Sequence, residues 1–594
     1  LVETGLAVGL RGDEGAVLLA GPGVLEVTAE VRHGQDLGQV QARMIEVIEG
    51  LAADGVSGQE VERAKGRRLK DVRRTVSDTS RLANALTEWI ALGDWRTFFI
   101  HRDRLRAVSA ADVNRVASQY LIETNRTAGM LVPAKEMLRA TIPPVPDVGE
   151  LVEGYHGTQA TAAGEAFVAT PENIDRRTLR VSLEPGMKVA LLQKETRGDM
   201  VRAEFRFHFG DEQSLSAHVT ALRLLPALLQ RGTAKRDYQQ LRDEIDRLQS
   251  EISVRGGVGT FAASIESDRA HIVPAIALLA EMLQQPAFAP AQFEIVKKER
   301  LARLEEDLSS SQERCFNALR RAVYPWPADS IHYMPTLEEK NERLKAVSLE
   351  TVKDLYARFY GGGHSEVSVV GDFDRGAVLK ALGTHFGTWE SGYPYRRIEM
   401  PHRAIDTRHR TVDVPGAQMS VVAMGTHLEM RDDDPDYPAL RFASYVLGES
   451  DKCRLYSRLR YKDAMTYHTG GYLRADSQDR RTSVFAYAFC SPTEADKVLQ
   501  VMAEEVRRWI ADGVTAEELA ASQKSYRLEC LNQLADDSFV ARELIDGLEL
   551  GRKMAFHDDV LSRIQALTEA DIKRALNEHL GGAKFVEIKA GDFE

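Results

Sequence analysis

Residues 344–373, LKAVSLETVKDLYARFYGGGHSEVSVVGDF, contain a helix signal followed directly by a strand signal. Ser348 stands just before an apolar-periodic run, where its hydroxyl can cap the first free amides of a helix. Three glycines end that run, and the apolar-rich stretch 366–370 has the composition of a strand. The segment therefore predicts a capped helix joined to a strand that ends in Gly371-Asp372-Phe373.

The same pattern occurs at two other places in the chain. LRAVSAADVNRVASQYL begins at Leu105 and IQALTEADIKRALNEHL begins at Ile564, with Ser109 and Thr568 at the capping position. The copy at Ile564 is also followed by a strand-like run and Gly-Asp-Phe, at an offset of 220 from the segment quoted above (564 − 344 and 591 − 371). Self-similarity over so long a period indicates duplicated domains and not a solenoid of short repeats.

A second correspondence relates the two ends of the chain. Gly55-Val56-Ser57 matches Gly513-Val514-Thr515, and a further matching pair has the same offset of 458 (513 − 55 and 550 − 92). Residues 1–134 are therefore interpreted as a partial copy of residues 401–594. The stretch 135–164, which is rich in Pro, Gly, Ala and Thr and poor in periodicity, predicts a long linker across the surface.

Strand and helix signals form blocks within residues 165–400 and 401–594. Alternating apolar stretches such as 201–209 and 482–489 predict strands, and long helical patterns such as 495–511 lie between them. This arrangement predicts an α+β fold of duplicated subdomains, each with helices packed on a mainly antiparallel β-sheet.

The composition limits the functional classes. The chain has 594 residues, 43% of them apolar and 28% charged, which is normal for several globular domains. A net charge of −12 without a long Lys/Arg block gives no electrostatic case for nucleic acid binding. No run approaches about 18 consecutive apolar residues, so no membrane span is expected. Four cysteines are too widely spaced for a disulfide scaffold or a thiolate metal site: Cys315, Cys453, Cys490 and Cys530.

An arginine and a tyrosine seven positions apart, Arg460 and Tyr467, stand in the context SRLRYKDAMTYHTGG. This context resembles the second half of the pitrilysin/insulinase family of zinc peptidases, whose usual form is close to LREKxGLAYxV. Arg460 and Tyr467 match that form, while Ala464-Met465-Thr466 replaces its Gly-Leu-Ala. In the family the two side chains reach across a chamber to a zinc site on another subdomain. The resemblance thus implies that this pair orients the scissile carbonyl and stabilises the tetrahedral intermediate.

The resemblance covers essentially the whole chain and implies a tandem, clam-shell form similar to the mitochondrial processing peptidase. Residues 1–134 would be the latter part of the second subdomain of one peptidase unit, and residues 165–400 and 401–594 the two subdomains of the next unit. The catalytic subdomain would precede Leu1, where the chain starts in mid-pattern without a Met, so we expect a cleaved or truncated product. The implied partners are the preceding zinc-bearing fragment or subunit and unfolded peptide substrates.

The zinc motif of the family's active subdomain, His-x-x-Glu-His followed by Gly-Thr, has lost its ligands in this chain. Anchoring the comparison on Gly232-Thr233 places Arg223 at the first His, Pro226 at the Glu and Ala227 at the second His. An Arg cannot give up its proton to bind a metal, and neither Pro nor Ala carries a ligand or a base. The resemblance therefore implies that residues 165–400 are catalytically inert.

One carboxylate of the zinc set has a counterpart, because the family's third ligand, a glutamate on a later helix, corresponds to Glu305 or Glu306. A carboxylate alone holds no zinc, and a solvated helix face is the simpler interpretation. We therefore expect no metal in this chain and a zinc ion in the missing catalytic subdomain.

The first copy shows the complementary loss. At an offset of 458–459, Val2 stands at the position of Arg460, and Val8 or Gly9 stands at that of Tyr467. In the family's clam-shaped members the metal lies in one half and the substrate-clamping residues in the other. This division favours a retained role for Arg460 and Tyr467.

Three functions compete. The leading one is the zinc-free portion of a metalloendopeptidase that degrades unfolded peptides in an enclosed chamber, with Arg460 and Tyr467 acting in trans. The second is a non-catalytic scaffold or assembly subunit of the same fold, which would have no need of that pair. The third is a module that binds peptides by strand addition at a sheet edge without cleaving them.

Overall fold

The computed structural model describes residues 6, 9–14, 24–31, 36–131, 164–450, 452–466 and 468–593. Of the predicted linker, 135–164, only Gly164 belongs to these ranges. The first part of the chain has a hairpin of two antiparallel strands and then, within residues 36–131, five α-helices. These elements are β1 Gly9–Glu14, β2 Leu25–Glu30, α1 Leu37–Asp54, α2 Gly58–Ser77, α3 Thr79–Ala91, α4 Arg96–Ala107 and α5 Ala110–Tyr120.

The next subdomain is built on a six-stranded sheet with the order β3-β4-β8-β5-β7-β6, in which only β4 and β8 are parallel. Its strands are β3 Leu179–Leu183, β4 Met187–Gln193, β5 Met200–His208, β6 Glu251–Gly256, β7 Thr260–Asp268 and β8 Ser365–Gly371. Its helices are α6 Pro171–Arg177, α7 Glu212–Leu215, α8 Val219–Leu228, α9 Tyr238–Arg247, α10 Ile272–Gln284, α11 Pro290–Ser309, α12 Ser311–Val323, α13 Leu337–Lys345, α14 Leu349–Phe359 and α15 Arg375–Phe386.

The last subdomain is built on a five-stranded sheet with the order β11-β12-β10-β13-β9, in which only β13 and β9 are parallel. Its strands are β9 Arg408–Asp413, β10 Ser420–Leu428, β11 His468–Ala475, β12 Thr482–Cys490 and β13 Val586–Gly591. Its α-helices are α16 Tyr437–Ser444, α17 Ala495–Asp512, α18 Ala516–Ala535, α19 Asp537–Leu550, α20 Ala555–Ala566 and α21 Glu569–Leu580. The predicted fold class, helices on mainly antiparallel sheets in repeated subdomains, is confirmed.

The three predicted helix caps are confirmed. The Ser109 hydroxyl accepts a hydrogen bond from the Asp112 amide, and the Asp112 carboxylate accepts one from the Ser109 amide, so α5 begins with a complete capping box. Ser348 caps α14 and Thr568 caps α21 through the same hydroxyl contact with the third helical amide. Each cap satisfies an amide that has no partner inside its own helix, which is why a Ser or Thr marks the start of all three copies.

Side chains along β5 alternate between the two faces of the sheet, so the sheet contributes to two hydrophobic cores. Phe205 and Phe207 are fully buried, with both rings near Phe386 of α15, whereas Arg206 and His208 project from the opposite face. Successive side chains of a strand point to opposite faces, so both faces of this sheet need cover. The first face is covered by helices of its own subdomain, and the second by a helix from the other subdomain.

The two subdomains each lend one helix to the other's sheet. Helix α12 places Cys315, Ala318 and Leu319 in a buried cluster with Val421 and Ile588 of the five-stranded sheet. Helix α19 in turn covers strands β4 and β8 of the six-stranded sheet, where it contributes Val540, Ala541 and Leu544 to a buried cluster. Full burial of a leucine side chain such as Leu544 contributes about 1.5–3 kcal/mol, so these exchanged helices hold the two subdomains together.

The helices of residues 36–131 contact the six-stranded subdomain through ion pairs. Helix α2 is rich in Lys and Arg and contacts α9 and the ends of β6 and β7. Lys70 Nζ lies 2.6 Å from Asp246 Oδ1, and both side chains are buried. Arg73 pairs with Asp268, and Arg74 Nη2 donates to Glu266 Oε2 at 2.6 Å. A buried pair of this kind contributes specificity of position, because each charge is costly to bury alone.

None of the helices within the described ranges has the length and the apolar character that a membrane crossing requires.

Candidate functional site

Arg460 lies on a π-helical turn, Tyr456–Lys462, and the edge strand β11 begins six positions after the end of that turn, at His468. Its side chain is exposed, and its guanidinium carbon lies 5.7 Å from the ring centroid of Tyr456. A cation over an aromatic face is stabilised by the ring quadrupole, which restricts the guanidinium without burying it. Tyr467, the second predicted site residue, lies outside the described residues, as do Val2 and Val8.

The backbone between Arg460 and β11 carries a left-handed residue. Ala464 has φ 52°, a conformation that an L-residue adopts at a cost of about 1–2 kcal/mol and that glycine adopts freely. This is the position at which the LREKxGLAYxV pattern has its glycine. Thr466, which is buried, then anchors the turn: its hydroxyl donates to the His468 carbonyl at 2.8 Å and accepts from the His468 amide at 3.2 Å. The conformation that the glycine serves is thus kept although the glycine is not.

Tyr456, the ring that Arg460 contacts, belongs to a hydrogen-bonded row of three ring side chains. The Tyr456 hydroxyl lies 2.7 Å from His468 Nδ1, and His468 Nε2 lies 3.4 Å from the Tyr487 hydroxyl. Burial raises the pKa of Tyr487, and the neighbouring Tyr456 acts in the same direction. We did not predict Tyr456 or His468 as site residues, although both flank the quoted motif. The sequence offered one indication of these two residues, because aromatic and histidine side chains occur on both sides of Arg460.

The three positions aligned with the family's zinc motif lie on one helix, α8. Arg223 is exposed, Pro226 is buried inside the helix, and Ala227 packs against the hydrophobic core. Glu305 and Glu306 are exposed on α11, in agreement with a solvated helix face. These five side chains offer no set of ligands that fits a zinc ion, because only the two carboxylates could bind a metal.

The charge around α8 also opposes a cation. Desolvation lowers the pKa of Lys340 on α13, and the positive charges of Arg223 and Arg320 lower it further. Asp307 and Glu313 oppose this effect. A divalent ion at this place would meet three basic side chains, so the residues present do not fit the metal that the family's active subdomain holds.

Elsewhere in the described part of the chain, one group of three possible metal ligands lies close together: Asp434, Asp436 and His579. Asp436 already accepts from Arg574 Nη2 at 2.6 Å and contacts His579 Nε2 at 3.1 Å, and these bonds lower its pKa. The arrangement is a satisfied ion-pair network at the start of α16.

A cavity of about 870 Å³ lies between the six-stranded sheet, residues 395–398 and helices α18, α19 and α20. On its polar side Arg206 donates to Asp546 and Glu549, both at 2.5 Å, and Gln478 donates to Glu549 at 2.7 Å. Burial raises the pKa of Tyr395, which faces the same charges. The polar groups on this wall are hydrogen-bonded to one another. The cavity lies between the subdomains, and sequence patterns did not reveal it.

His427, at the end of β10, is a buried histidine at the junction with α12. Its ring lies 4.6 Å from that of His402 and 5.6 Å from that of Tyr324, measured between centroids. Neither ring nitrogen meets hydrogen-bond geometry with a described partner, although the Val323 carbonyl is close enough to oppose the shift in pKa. Burial lowers the pKa of His427 to about 4, and the charges of His402 and Arg481 act in the same direction.

Acid should therefore loosen this junction. The folded pKa of His427, about 4, lies below the ordinary value of 6.5, so the unfolded state binds the proton more readily. Its contribution to stability is complete above about pH 6.5 and declines as the pH falls toward 4, by about 3 kcal/mol in total. We expect His427→Gln to flatten this dependence in amide hydrogen exchange of residues 420–428. His409→Gln, on an exposed side chain, serves as the control, and an unchanged pH profile in His427→Gln would contradict the assignment.

Residues 346–526 match the sequence profile of the peptidase M16 inactive domain. No curated protein sequence matches the chain significantly. The matched segment extends from just before helix α14 into helix α18, and it includes β8 and Arg460.

Solved structures show the same fold. A peptidase M16 inactive domain from Pseudomonas fluorescens is 20% identical, with a TM-score of 0.62, over 70% of this chain and 98% of that one. A protease from Helicobacter pylori is 16% identical, with a TM-score of 0.61, over 70% of this chain and 99% of that one. The periplasmic protease PqqL from Escherichia coli is 13% identical, with a TM-score of 0.57, over 99% of this chain and 67% of that one.

Proposed function

From the premise that this chain is a peptidase M16 family member that carries the family's inactive domain, we propose that it is the zinc-free portion of a metalloendopeptidase. In this proposal it encloses unfolded peptides together with a zinc-bearing half and supplies Arg460 and Tyr467 to the reaction in trans. The activity belongs to the complex, and this chain alone is inactive. The inactive domain itself implies a catalytic half as partner.

The proposal rests on the exposed position of Arg460 and on the backbone conformation that follows it. Its guanidinium is exposed on a π-helical turn and rests on the Tyr456 ring, while the backbone after it keeps the left-handed conformation at Ala464. Strain of this kind persists where the surrounding structure enforces it, and it concentrates at functional sites. π-Helical turns inside helices show the same preference. A residue with only a packing role needs neither feature.

The chemistry assigned to the pair follows from the two functional groups. The planar guanidinium of Arg460 offers a fork of N–H donors, which can hold a substrate carbonyl or carboxylate in one orientation. A phenol at Tyr467 can donate one hydrogen bond to the oxygen on which negative charge develops. Neither group needs to gain or lose a proton to do this. No step is assigned to a metal on this chain, since α8 carries no suitable ligands.

One observation favours peptide binding by strand addition as the second candidate. β11 is an edge strand of the five-stranded sheet, and it begins at His468, six positions after the end of the Arg460 turn. A peptide paired with this edge would pass Arg460. This candidate predicts binding without cleavage in every complex, whereas the peptidase proposal predicts turnover that depends on Arg460.

We expect the isolated chain to bind no stoichiometric zinc and to hydrolyse no peptide. Metal analysis after dialysis and a quenched-peptide assay check both points. The double variant Arg223→His/Ala227→His is the matched control, because two histidines one helical turn apart on α8 form a zinc-binding pair. About one tightly held zinc ion per unmodified chain would overturn the assignment of α8 as the degenerate motif.

A further inference from the structure

Lys340 lies on the inward-facing side of helix α13. It stands three positions after Leu337 and four before Leu344, and both leucines are buried, so the three side chains share one side of the helix. Lys340 is itself partly buried. A buried lysine is normally paired with an acid. Within the described ranges, however, no acidic side chain lies within hydrogen-bond or ion-pair distance of the Lys340 ammonium.

Two other helices bring basic side chains to the same part of the subdomain. Arg321 Nε on α12 donates to the Met334 carbonyl at 3.1 Å, which holds the last turns of α12 beside the start of α13. Arg320, the neighbour of Arg321 on that helix, is exposed. Helix α13 also contacts α8, which carries Arg223. One basic side chain from each of three helices thus lies where α8, α12 and α13 meet.

The charges at this junction are not balanced. Arg223 and Arg320 have the largest effects of the charged groups that act on the pKa of the lysine on α13, and both lower it. Asp307 and Glu313 have smaller effects of opposite sign, and Asp307 is already paired with Arg303, at 3.6 Å. In the part of the chain that the structure describes, neither Arg223 nor Arg320 has an acidic partner. The junction therefore carries a net positive charge.

Arg223 lies in a concave part of the surface. Its side chain is accessible to solvent, yet desolvation lowers its pKa. Both conditions are met where protein surrounds a group without covering it. A solute can therefore reach the guanidinium at a place from which part of the water has been removed, and there a hydrogen bond to an anion is stronger than in bulk water.

We propose that Arg223, Arg320 and Lys340 form an anion-binding site that takes a carboxylate group of an unfolded peptide. The inference rests on the proposed function, which supplies peptides as the class of ligand. Two guanidinium groups and one ammonium group offer only donors, and a planar guanidinium matches the two oxygens of a carboxylate. The carboxylate comes from the C-terminus of the peptide or from an acidic side chain. Helix α8, which aligns with the zinc motif, thus binds an anion of the substrate in place of a cation.

Fluorescence polarisation with three versions of one otherwise neutral peptide tests the site on the full chain. Each peptide carries an uncharged fluorophore on its N-terminus. The first has a free C-terminal carboxylate, the second an amidated C-terminus and a single Glu, and the third an amidated C-terminus and Gln in place of that Glu. We expect the first two to bind about tenfold more tightly than the third, which is the effect of one hydrogen bond between charged groups. Lys340→Met and Arg223→Gln should each remove most of this preference.

Lys345→Met is the matched control. Lys345 lies on the same helix, is exposed and pairs with Glu342 at 2.8 Å, so its removal should leave the preference unchanged. Thermal melts show whether each variant is folded, and Arg223→Gln, on an exposed side chain, keeps the test decisive if Lys340→Met is unstable. Equal binding of the three peptides, or a preference that survives in both Lys340→Met and Arg223→Gln, overturns the site. Inorganic phosphate is the competitor, and tighter binding of phosphate than of either peptide carboxylate overturns the assignment of a peptide as the ligand.

Arg460→Ala separates the anion site from the peptidase proposal. In the isolated chain this variant should keep the preference for carboxylate, and in the complete zinc-bearing assembly it should strongly lower turnover. A carboxylate preference together with wild-type turnover in Arg460→Ala would sink the peptidase role of Arg460 and leave the anion site intact. Turnover that depends on Arg460, without any preference for carboxylate, would do the reverse.

Discussion

Arg460→Ala should lower kcat of the complete, zinc-bearing assembly by on the order of 10²–10³, with zinc content and fold unchanged. The guanidinium is exposed and rests on the Tyr456 ring, so its removal leaves the core intact. Tyr467→Phe, which removes one donor to the developing oxyanion, should cause a loss in the same range. Steady-state kinetics on a quenched peptide, run beside a thermal melt, measures both effects.

Two further variants give this prediction its specificity. Arg460→Lys should not restore full activity, because an ammonium lacks the planar fork of donors. Tyr461→Phe is the matched control, since Tyr461 is on the same π-helical turn, is 69% exposed and has no role in the proposal. Wild-type kcat in both Arg460→Ala and Tyr467→Phe would end the catalytic interpretation and favour the scaffold or peptide-binding alternative.

Asp246→Ala should release helix α2 from the six-stranded subdomain at a loss of about 3 kcal/mol, the lower end of the range for a broken buried ion pair. The change leaves the Lys70 ammonium buried, with the Ser250 carbonyl at 3.2 Å as its remaining described acceptor. Amide hydrogen exchange of residues 58–77 under native conditions reports this local opening. The physical cause is the desolvation cost of an ammonium that stays buried without its carboxylate partner.

The matched control lies on the same helix α9. Asp243 pairs with Arg63 at 3.4 Å, and about a third of each side chain is exposed, so Asp243→Ala should change the stability of α2 by less than about 1 kcal/mol. The double variant Lys70→Met/Asp246→Leu should recover most of the loss, because it removes both charges together. Equal effects of Asp246→Ala and Asp243→Ala would show that burial of the Lys70–Asp246 pair is not what holds α2.

Much of the candidate site was accessible from pattern alone. The positions Arg223, Pro226 and Ala227 lie on one helix, and Arg460 is exposed on a turn that precedes a strand. The roles of Arg460 and Tyr467 and the subdomain boundaries stay predictions. Tyr456 and His468 were missed, because an aromatic residue in a sequence is compatible with core packing and with a supporting row alike. Only their distances, 2.7 Å between the two side chains, distinguish the cases.

The sequence by itself determined the elements and their repetition. Caps, helical periodicity and strand alternation are local signals, since each depends on residues a few positions apart, and the 458-residue offset follows from comparing such signals. The tertiary structure alone decided which sheet each helix covers, as with α12 and α19, and where a lysine such as Lys70 is buried. These outcomes depend on contacts between residues such as Lys70 and Asp246, 176 positions apart, for which no local period exists. The left-handed conformation at residue 464 was accessible in part from the sequence, because the family pattern has a glycine at this position. Only the folded turn shows that Ala464 adopts the same conformation.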